Sequence, residues 1–211
     1  MLSEFSLPIA TELFETIKFF NSKGWSPATS TNYSYRISQE DSKILISRSG
    51  IDKRKFSLND FILINNNGDI YPEFQKENFK SSAETDIHTY IYNKFPEINC
   101  VLHTHSALGT VLSQHYLPQK EILFSELEII KGIEGQTTHQ TTLRLPIVSN
   151  SQDMKNILFE LEHHFHRTGQ FFGFLIAGHG LYAWGKDLPT ATRHIETFEF
   201  LLECLHLNRS L

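Results

Sequence analysis

Cys100-Val101-Leu102-His103-Thr104-His105-Ser106 is the stretch on which the reading of this chain turns. Its apolar run ends on two histidines two residues apart, which is the pattern of a strand that carries chemistry at its end. Side chains alternate faces along an extended strand, so His103 and His105 share one face. At about 3.3 Å per residue their β-carbons stand roughly 6.6 Å apart. Two imidazoles at that spacing can close on one metal ion at about 2.0–2.1 Å per nitrogen. A third candidate, His179, sits between glycines in Leu175-Ile176-Ala177-Gly178-His179-Gly180. Three protein ligands and an open position are the form of a catalytic metal centre rather than a structural one. The spacing alone says little, because the chain has 11 histidines. A second His-x-His pair, His164 and His166, lies in a helical pattern, where positions i and i+2 diverge. His163 and His166 are better spaced but read as the wet face of that helix.

Outward from the histidine strand the chain alternates irregularly between strand and helix. Ser81 to Lys94 reads as a helix with a capping box, Ser81 at the N-cap and Glu84 three residues on. Ser106 to Gln114 reads as the helix after the strand. Pro8 to Lys23 forms a first helix with Gly24 beyond its end. Tyr33–Ser38, Lys43–Ser47 and Phe61–Asn65 follow as strands, and Asn66-Asn67-Gly68-Asp69 as a turn into Ile70-Tyr71. Further strands are expected at Ile122–Phe124, Thr142–Val148, Phe172–Ala177 and Leu181–Trp184. A short helix is expected at Glu126–Gly132, and longer ones at Gln152–Thr168 and from Leu188 to Leu207 behind Asp187 as N-cap. In the last helix Leu188, Ala191, Ile195, Phe198, Leu202 and Leu205 step by three and four, so one whole face is apolar. The irregular alternation with hairpin-like pairs points to a mainly antiparallel or mixed sheet covered by helices.

Composition narrows the function classes. The chain has 211 residues, 40% hydrophobic and 20% charged, which suits one globular domain spanning 1–211 with a real core. Net charge is −5 with no basic run, so a nucleic-acid or anionic-membrane partner has no electrostatic footprint. The two cysteines, Cys100 and Cys204, make no disulfide framework. The start, Met1-Leu2-Ser3-Glu4-Phe5-Ser6, lacks a secretory pattern, and no apolar run could span a bilayer. A cytoplasmic setting is the expectation.

Three small-residue clusters precede the histidines: Thr29-Ser30-Thr31-Asn32, Arg48-Ser49-Gly50 and Ser81-Ser82-Ala83-Glu84. Each offers hydroxyls and backbone N–H groups, and the third opens a helix whose dipole favours an anion. Taken singly they mean little, since an N-cap and two turns account for them better. Together, upstream of a metal candidate, they suggest a sugar-phosphate pocket beside a Lewis acid. Two carboxylates could move protons there. Glu84 competes with its own capping role. Glu128, flanked by Leu127, Ile129 and Ile130, is expected to be partly desolvated, with an exposed helix carboxylate as the alternative.

Taken in order, these segments resemble the class II aldolase/adducin family, and within it a dehydratase branch. The matching pieces are Gly24–Ser34, Ser82–Thr85, His103–Ser106, Glu128–Gly132, Pro146–Asp153 and the long run Leu175–Asp187, extending into Phe198–Cys204. The resemblance implies a three-layer αβα fold with a mostly antiparallel central sheet, and homotetramers with active sites near subunit contacts. It implies that His103, His105 and His179 hold one zinc ion per subunit and that Glu128 is a catalytic acid/base. Thr29, Asn32, Ser49, Gly50 and Ser82 fall where the family grips phosphate, and Glu84 where its aldolases keep their acid/base. The implied reaction is zinc-dependent dehydration of 5-methylthioribulose 1-phosphate in methionine salvage. An aldolase or epimerase on another sugar phosphate, or a non-catalytic adducin-like scaffold, are the alternatives. Imidazole sites also accept iron, manganese or cobalt. One departure is visible: Thr31 stands where the family has glycine, and threonine tolerates a positive φ poorly.

Overall fold

The computed structural model describes residues 6–75 and 79–208; Met1–Phe5, read above for a leader pattern, lie outside the described residues. Eight strands form one sheet in the order β3-β2-β1-β4-β8-β7-β6-β5. They are β1 (Tyr33–Ser38), β2 (Lys43–Ser47), β3 (Phe61–Ile64), β4 (Cys100–Thr104), β5 (Glu121–Phe124), β6 (Leu143–Val148), β7 (Gly173–Ile176) and β8 (Gly180–Gly185). Every pairing is antiparallel except β6 with β7. The sheet is thus mostly antiparallel, as the hairpin-like pattern implied.

Helices flank the sheet. They are α1 (Leu7–Ser22), α2 (Thr85–Lys94), α3 (Ala107–Tyr116), α4 (Met154–Thr168) and α5 (Leu188–Asn208). Packing sorts them into two groups: α3 and α5 lie on each other and on β8, while α2 and α4 contact one another. The two central strands, β4 and β8, are buried along their whole length, so both of their faces are covered. The apolar stripe of α5 is sunk where its spacing placed it, with Ala191, Ile195, Phe198 and Leu202 at or below 1% exposure. Asp187 caps that helix, accepting from the Thr190 N–H at 2.8 Å. Among the described residues no helix is long and apolar enough to cross a membrane.

The buried Arg36 fixes where β4 begins. Its guanidinium donates to the carbonyls of Tyr92, Phe95, Pro96 and Ile98, which gathers the end of α2 and the loop after it. These carbonyls have no helical partner, so a fork of N–H donors satisfies them as a cap would.

Several boundaries differ from expectation. The helix expected from Ser81 starts at Thr85, and Glu84 makes no capping hydrogen bond, so the capping box does not form. Its carboxylate has other partners, described below. The Glu126–Gly132 helix is a 3-10 turn over Glu128–Gly132, and Glu126 has φ 58°. Ile70 makes one isolated bridge to Ile64 rather than a strand. On α4, His163 and His166 are exposed, so the wet-face reading holds, while His164 turns away from them and is buried against the Ile147 carbonyl at 3.2 Å.

Candidate metal centre

Four side chains converge at the end of β4. One ligand-type atom from each of Glu84, His103, His105 and His179 lies within 4.8 Å of the others. His103 is the last residue but one of β4 and pairs with Tyr182 of β8, whose ring stacks on it at 3.9 Å. His105 lies just past the strand end, where its N–H bonds the Trp25 carbonyl at 2.8 Å instead of a sheet neighbour. Its ring still turns to the same side, and the Nε2 atoms of His103 and His105 are 2.7 Å apart. His179 arrives on the β7–β8 turn. That turn is tied to α3: Thr110 donates to the His179 carbonyl at 3.0 Å, and the Gly178 N–H donates to Ser113 at 3.0 Å. Gly180 permits the close approach, because a β-carbon there would sit 2.0 Å from the Thr104 carbonyl and 3.1 Å from both strand histidines.

The donor set suits a divalent ion. His103 donates Nδ1–H to the Leu181 carbonyl at 2.9 Å, which fixes its tautomer and leaves Nε2 bare toward the cluster. Burial pushes the His103 pKa well down and that of His105 to about 4, so both are neutral, as ligation requires. Glu84 brings the negative charge. Burial works to raise its pKa, but the neighbouring His103 and hydrogen bonds from His179 and Asn32 outweigh that and hold it well below the usual carboxylate range. Its Oε1 is 2.9 Å from His179 Nε2, and its Oε2 is 3.7 Å from His103 Nε2. Two bare or orientable imidazole nitrogens facing each other beside an anion repel less with a cation between them. Three imidazoles and a carboxylate of this kind are a set that zinc and similar ions accept.

A buried polar chain stands behind Glu84. Its Oε2 accepts from the Tyr182 hydroxyl at 3.1 Å and from the Asn32 amide. The Asn32 carbonyl oxygen accepts from His88 Nε2; His88 Nδ1 meets the Ser34 hydroxyl at 2.7 Å, and Ser34 meets Tyr92 at 2.7 Å. Asn32, Ser34, His88 and Tyr92 are each at most 4% exposed. Burial lowers His88 to a pKa of about 3, so it is neutral and its two ring nitrogens play opposite roles, one donor and one acceptor. The orientation of the Asn32 amide follows from that. Nothing in the spacing of His88 or Tyr182 singles them out. The signal for Tyr182 is strand register, since it falls opposite His103.

The three small-residue clusters do come together. Thr29 to Asn32, Ser47 to Ser49, and Ser82 line one small cavity of about 140 Å³, together with Glu84 and His105 of the cluster. Gly50, with φ 78°, follows Ser49 on the same loop but does not line it. Arg48 is turned to Asp60, at 2.6 Å, so the cavity presents hydroxyls and backbone rather than a free guanidinium. Thr31 adopts the glycine-type conformation that its side chain resists, with φ 72°. The next residue, Asn32, is the one committed to both His88 and Glu84, and those contacts hold the turn.

Glu128 is elsewhere. It is not desolvated as its apolar neighbours suggested: its side chain is 68% exposed and meets Lys131 and, at 3.3 Å, His139. The Lys131 hydrogen bond lowers its pKa. Sequence reasoning missed a further carboxylate, which is buried. Glu199 on α5 is 4% exposed and accepts from Thr104, between the two strand histidines, at 2.8 Å.

Residues 11–206 match the family described as Class II Aldolase and Adducin N-terminal domain. The chain belongs to the class II aldolase and adducin family. It is 48% identical over 192 residues to a methylthioribulose-1-phosphate dehydratase from Picosynechococcus sp., covering 91% of this chain and 88% of that one. A methylthioribulose-1-phosphate dehydratase from Stenotrophomonas maltophilia is 39% identical over 196 residues, 93% of this chain and 89% of the other. Among solved structures of this family's fold, an L-fuculose 1-phosphate aldolase superposes with TM-score 0.76 at 19% identity, covering 100% of this chain and 89% of that one. The L-fuculose-1-phosphate aldolase from Thermus thermophilus gives 0.74 at 19% identity, covering 96% of each chain.

Proposed function

We propose that this class II aldolase family member is a hydro-lyase that dehydrates 5-methylthioribulose 1-phosphate to 2,3-diketo-5-methylthiopentyl 1-phosphate in methionine salvage. One observation carries the proposal: three imidazoles and Glu84 converge beside a hydroxyl-lined cavity of phosphate size. The dehydratase names of relatives at 48% and 39% identity support the choice of reaction.

His103, His105 and His179 would hold one zinc ion per subunit. Bound there, the ion supplies Lewis-acid polarisation of a ketone, which makes the adjacent C–H acidic. Thr29, Asn32, Ser49 and Ser82 would grip the phosphate through hydroxyls and backbone N–H groups, and Gly50, outside the cavity lining, would shape the loop that carries Ser49. His103, His179 and the Asn32 hydrogen bond keep the Glu84 carboxylate anionic, and the Asn32 and Tyr182 hydrogen bonds fix its orientation.

Proton traffic needs a second carboxylate. The C3 proton must leave, and the C4 hydroxyl must depart as water with a proton gained; the resulting enol then ketonises, and no carbon–carbon bond breaks. Glu128 is assigned both transfers, taking the C3 proton and giving it to the departing hydroxyl. Because it lies outside the cluster of its own chain, it would act as Glu128 of the partner subunit in a homotetramer. Large apolar side chains beside it favour such a contact: Ile129 is 38% exposed and Phe200 50%, and both line one surface cavity.

A second reading, aldol cleavage or epimerisation of another sugar phosphate, draws on Glu84 lying inside the cluster. Purified zinc-loaded protein given the methylthio ketose separates the two. Loss of one water, followed by absorbance and mass spectrometry of the diketone, is the expected result. Fragments from carbon–carbon cleavage, or no reaction beside turnover of another sugar phosphate, would replace the dehydratase assignment.

A further inference from the structure

Two cavities meet at the metal centre, and they differ in character. The smaller is the hydroxyl-lined one above. The larger, about 450 Å³, shares Ser82, Glu84 and His105 with it and continues past His179 to Pro27, Met154 and Gly178. Glu84 and His105 therefore form the wall common to both. A five-carbon ketose 1-phosphate whose ketone lies at that wall has two arms. The phosphate arm fits the small hydroxyl-lined side, so the C4–C5 arm must run into the larger one.

Met154 is the largest apolar side chain lining that larger cavity. It is the first residue of α4, half-buried, and packed against the core. Its helix start is fixed by Asp153, whose carboxylate accepts from the Lys155 N–H at 3.0 Å. The other side chains at that end, Asn150, Ser151 and Gln152, are polar. A thioether is suited to a soft, weakly hydrated group, and its sulfur is a poorer partner for a hydroxyl than the polar neighbours are. We infer that Met154 is the specificity-determining residue for the tail of the substrate, selecting a 5-thioether over a 5-hydroxyl. The inference rests on the dehydratase reading for the identity of the tail, but the cavity arrangement and its test stand apart from turnover.

The probes are 5-methylthioribitol 1-phosphate and ribitol 1-phosphate, in which the ketone is reduced and the reaction is blocked. Titration calorimetry on the zinc-loaded protein reads the ratio of their affinities. The wild type binds the methylthio polyol more tightly, and Met154→Gln, close in length but polar, shrinks the ratio about tenfold. Met154→Leu, apolar without sulfur, recovers most of it, and Met154→Ala falls between. A wild type that binds both polyols equally, or a ratio unmoved in the Gln and Ala variants, overturns the inference. A ratio that depends on residue 154 in a protein that does not dehydrate the ketose keeps this inference and overturns the functional reading instead.

Discussion

Glu84 and Glu128 are both carboxylates at the head of a helical turn, yet the fold treats them in opposite ways. Glu84 is 16% exposed and meets His103, His179, Asn32 and Tyr182. Glu128 is 68% exposed and meets only surface partners, Lys131 and His139. One carboxylate is preorganised by its own chain, where low dielectric and fixed donors act on it continuously. The other has the freedom of a group that becomes organised only against another surface. The comparison teaches that this chain preorganises its candidate metal cluster with its own residues, and leaves Glu128, the proposed proton carrier, open to solvent.

The largest effect is expected from the complete half. His103→Ala removes the one cluster imidazole that is fully buried and fixed by a backbone carbonyl. It should lose zinc and turnover together, by more than about 10³-fold in rate, since the Lewis acid goes with the ligand. Metal analysis after gel filtration checks it, and stoichiometric zinc in the variant would break the cluster assignment.

Glu128→Gln should behave differently: zinc stays and turnover falls about 10²- to 10⁴-fold, the range of a lost general acid–base. Mixing the two inactive variants after mild dissociation sharpens the contrast. Activity should return, because an assembly of both kinds joins an intact metal cluster to an intact Glu128 from a different chain. A mixture as inactive as its parents, with mixed assemblies verified by mass, would show that Glu128 does not serve a neighbour's site.

Much of this was legible in the residues. The strand ending in His103 and His105, the apolar stripe of α5 and the glycine-flanked His179 carry period and spacing, and the folded chain keeps all three. The three hydroxyl-rich clusters were visible singly; that they surround one cavity is a tertiary fact, since it depends on β1, β2 and the α2 approach being brought together by the sheet. The capping box at Ser81 failed because a local rule met a stronger tertiary demand: imidazoles, an amide and a phenol hold Glu84 away from its own backbone. Glu128 was misjudged on burial because apolar sequence neighbours in a 3-10 turn need not share its face. Sequence pattern gave no warning of His88, whose role arises only from the Ser34 and Asn32 contacts on either side of it.

A third carboxylate sharpens the comparison. Glu199 is buried like Glu84 but faces hydroxyls rather than imidazoles. Burial therefore wins over the Ser106 and Thr104 hydrogen bonds and pushes it up from 4.5 to about 7. The folded state then holds a proton that the unfolded state has lost between those two values. Stability from this group is complete below pH about 4.5 and is lost as pH rises to about 7, by up to about 3 kcal/mol. Glu199→Gln should flatten that fall. Urea denaturation of both proteins from pH about 5 to about 8 reads the difference, and parallel curves would mean that the carboxylate is already ionised in the fold.

The smallest effect belongs to the turn that delivers Asn32 to Glu84. Thr31 holds φ 72° while 8% exposed, a conformation that costs a β-branched residue about 1–2 kcal/mol. Glycine would remove that strain but add unfolded-state entropy of about 0.4–1 kcal/mol and lose the packed side chain. The gain from Thr31→Gly is then a net stabilisation of no more than about 1 kcal/mol. Thr31→Ala keeps a β-carbon at the same φ and loses the packing, so it should be the least stable of the three. The order glycine, threonine, alanine in urea midpoints is the expected result. If alanine matched threonine while glycine fell below both, the turn would be unstrained, and the contacts of Asn32 with His88 and Glu84 would not be what holds it.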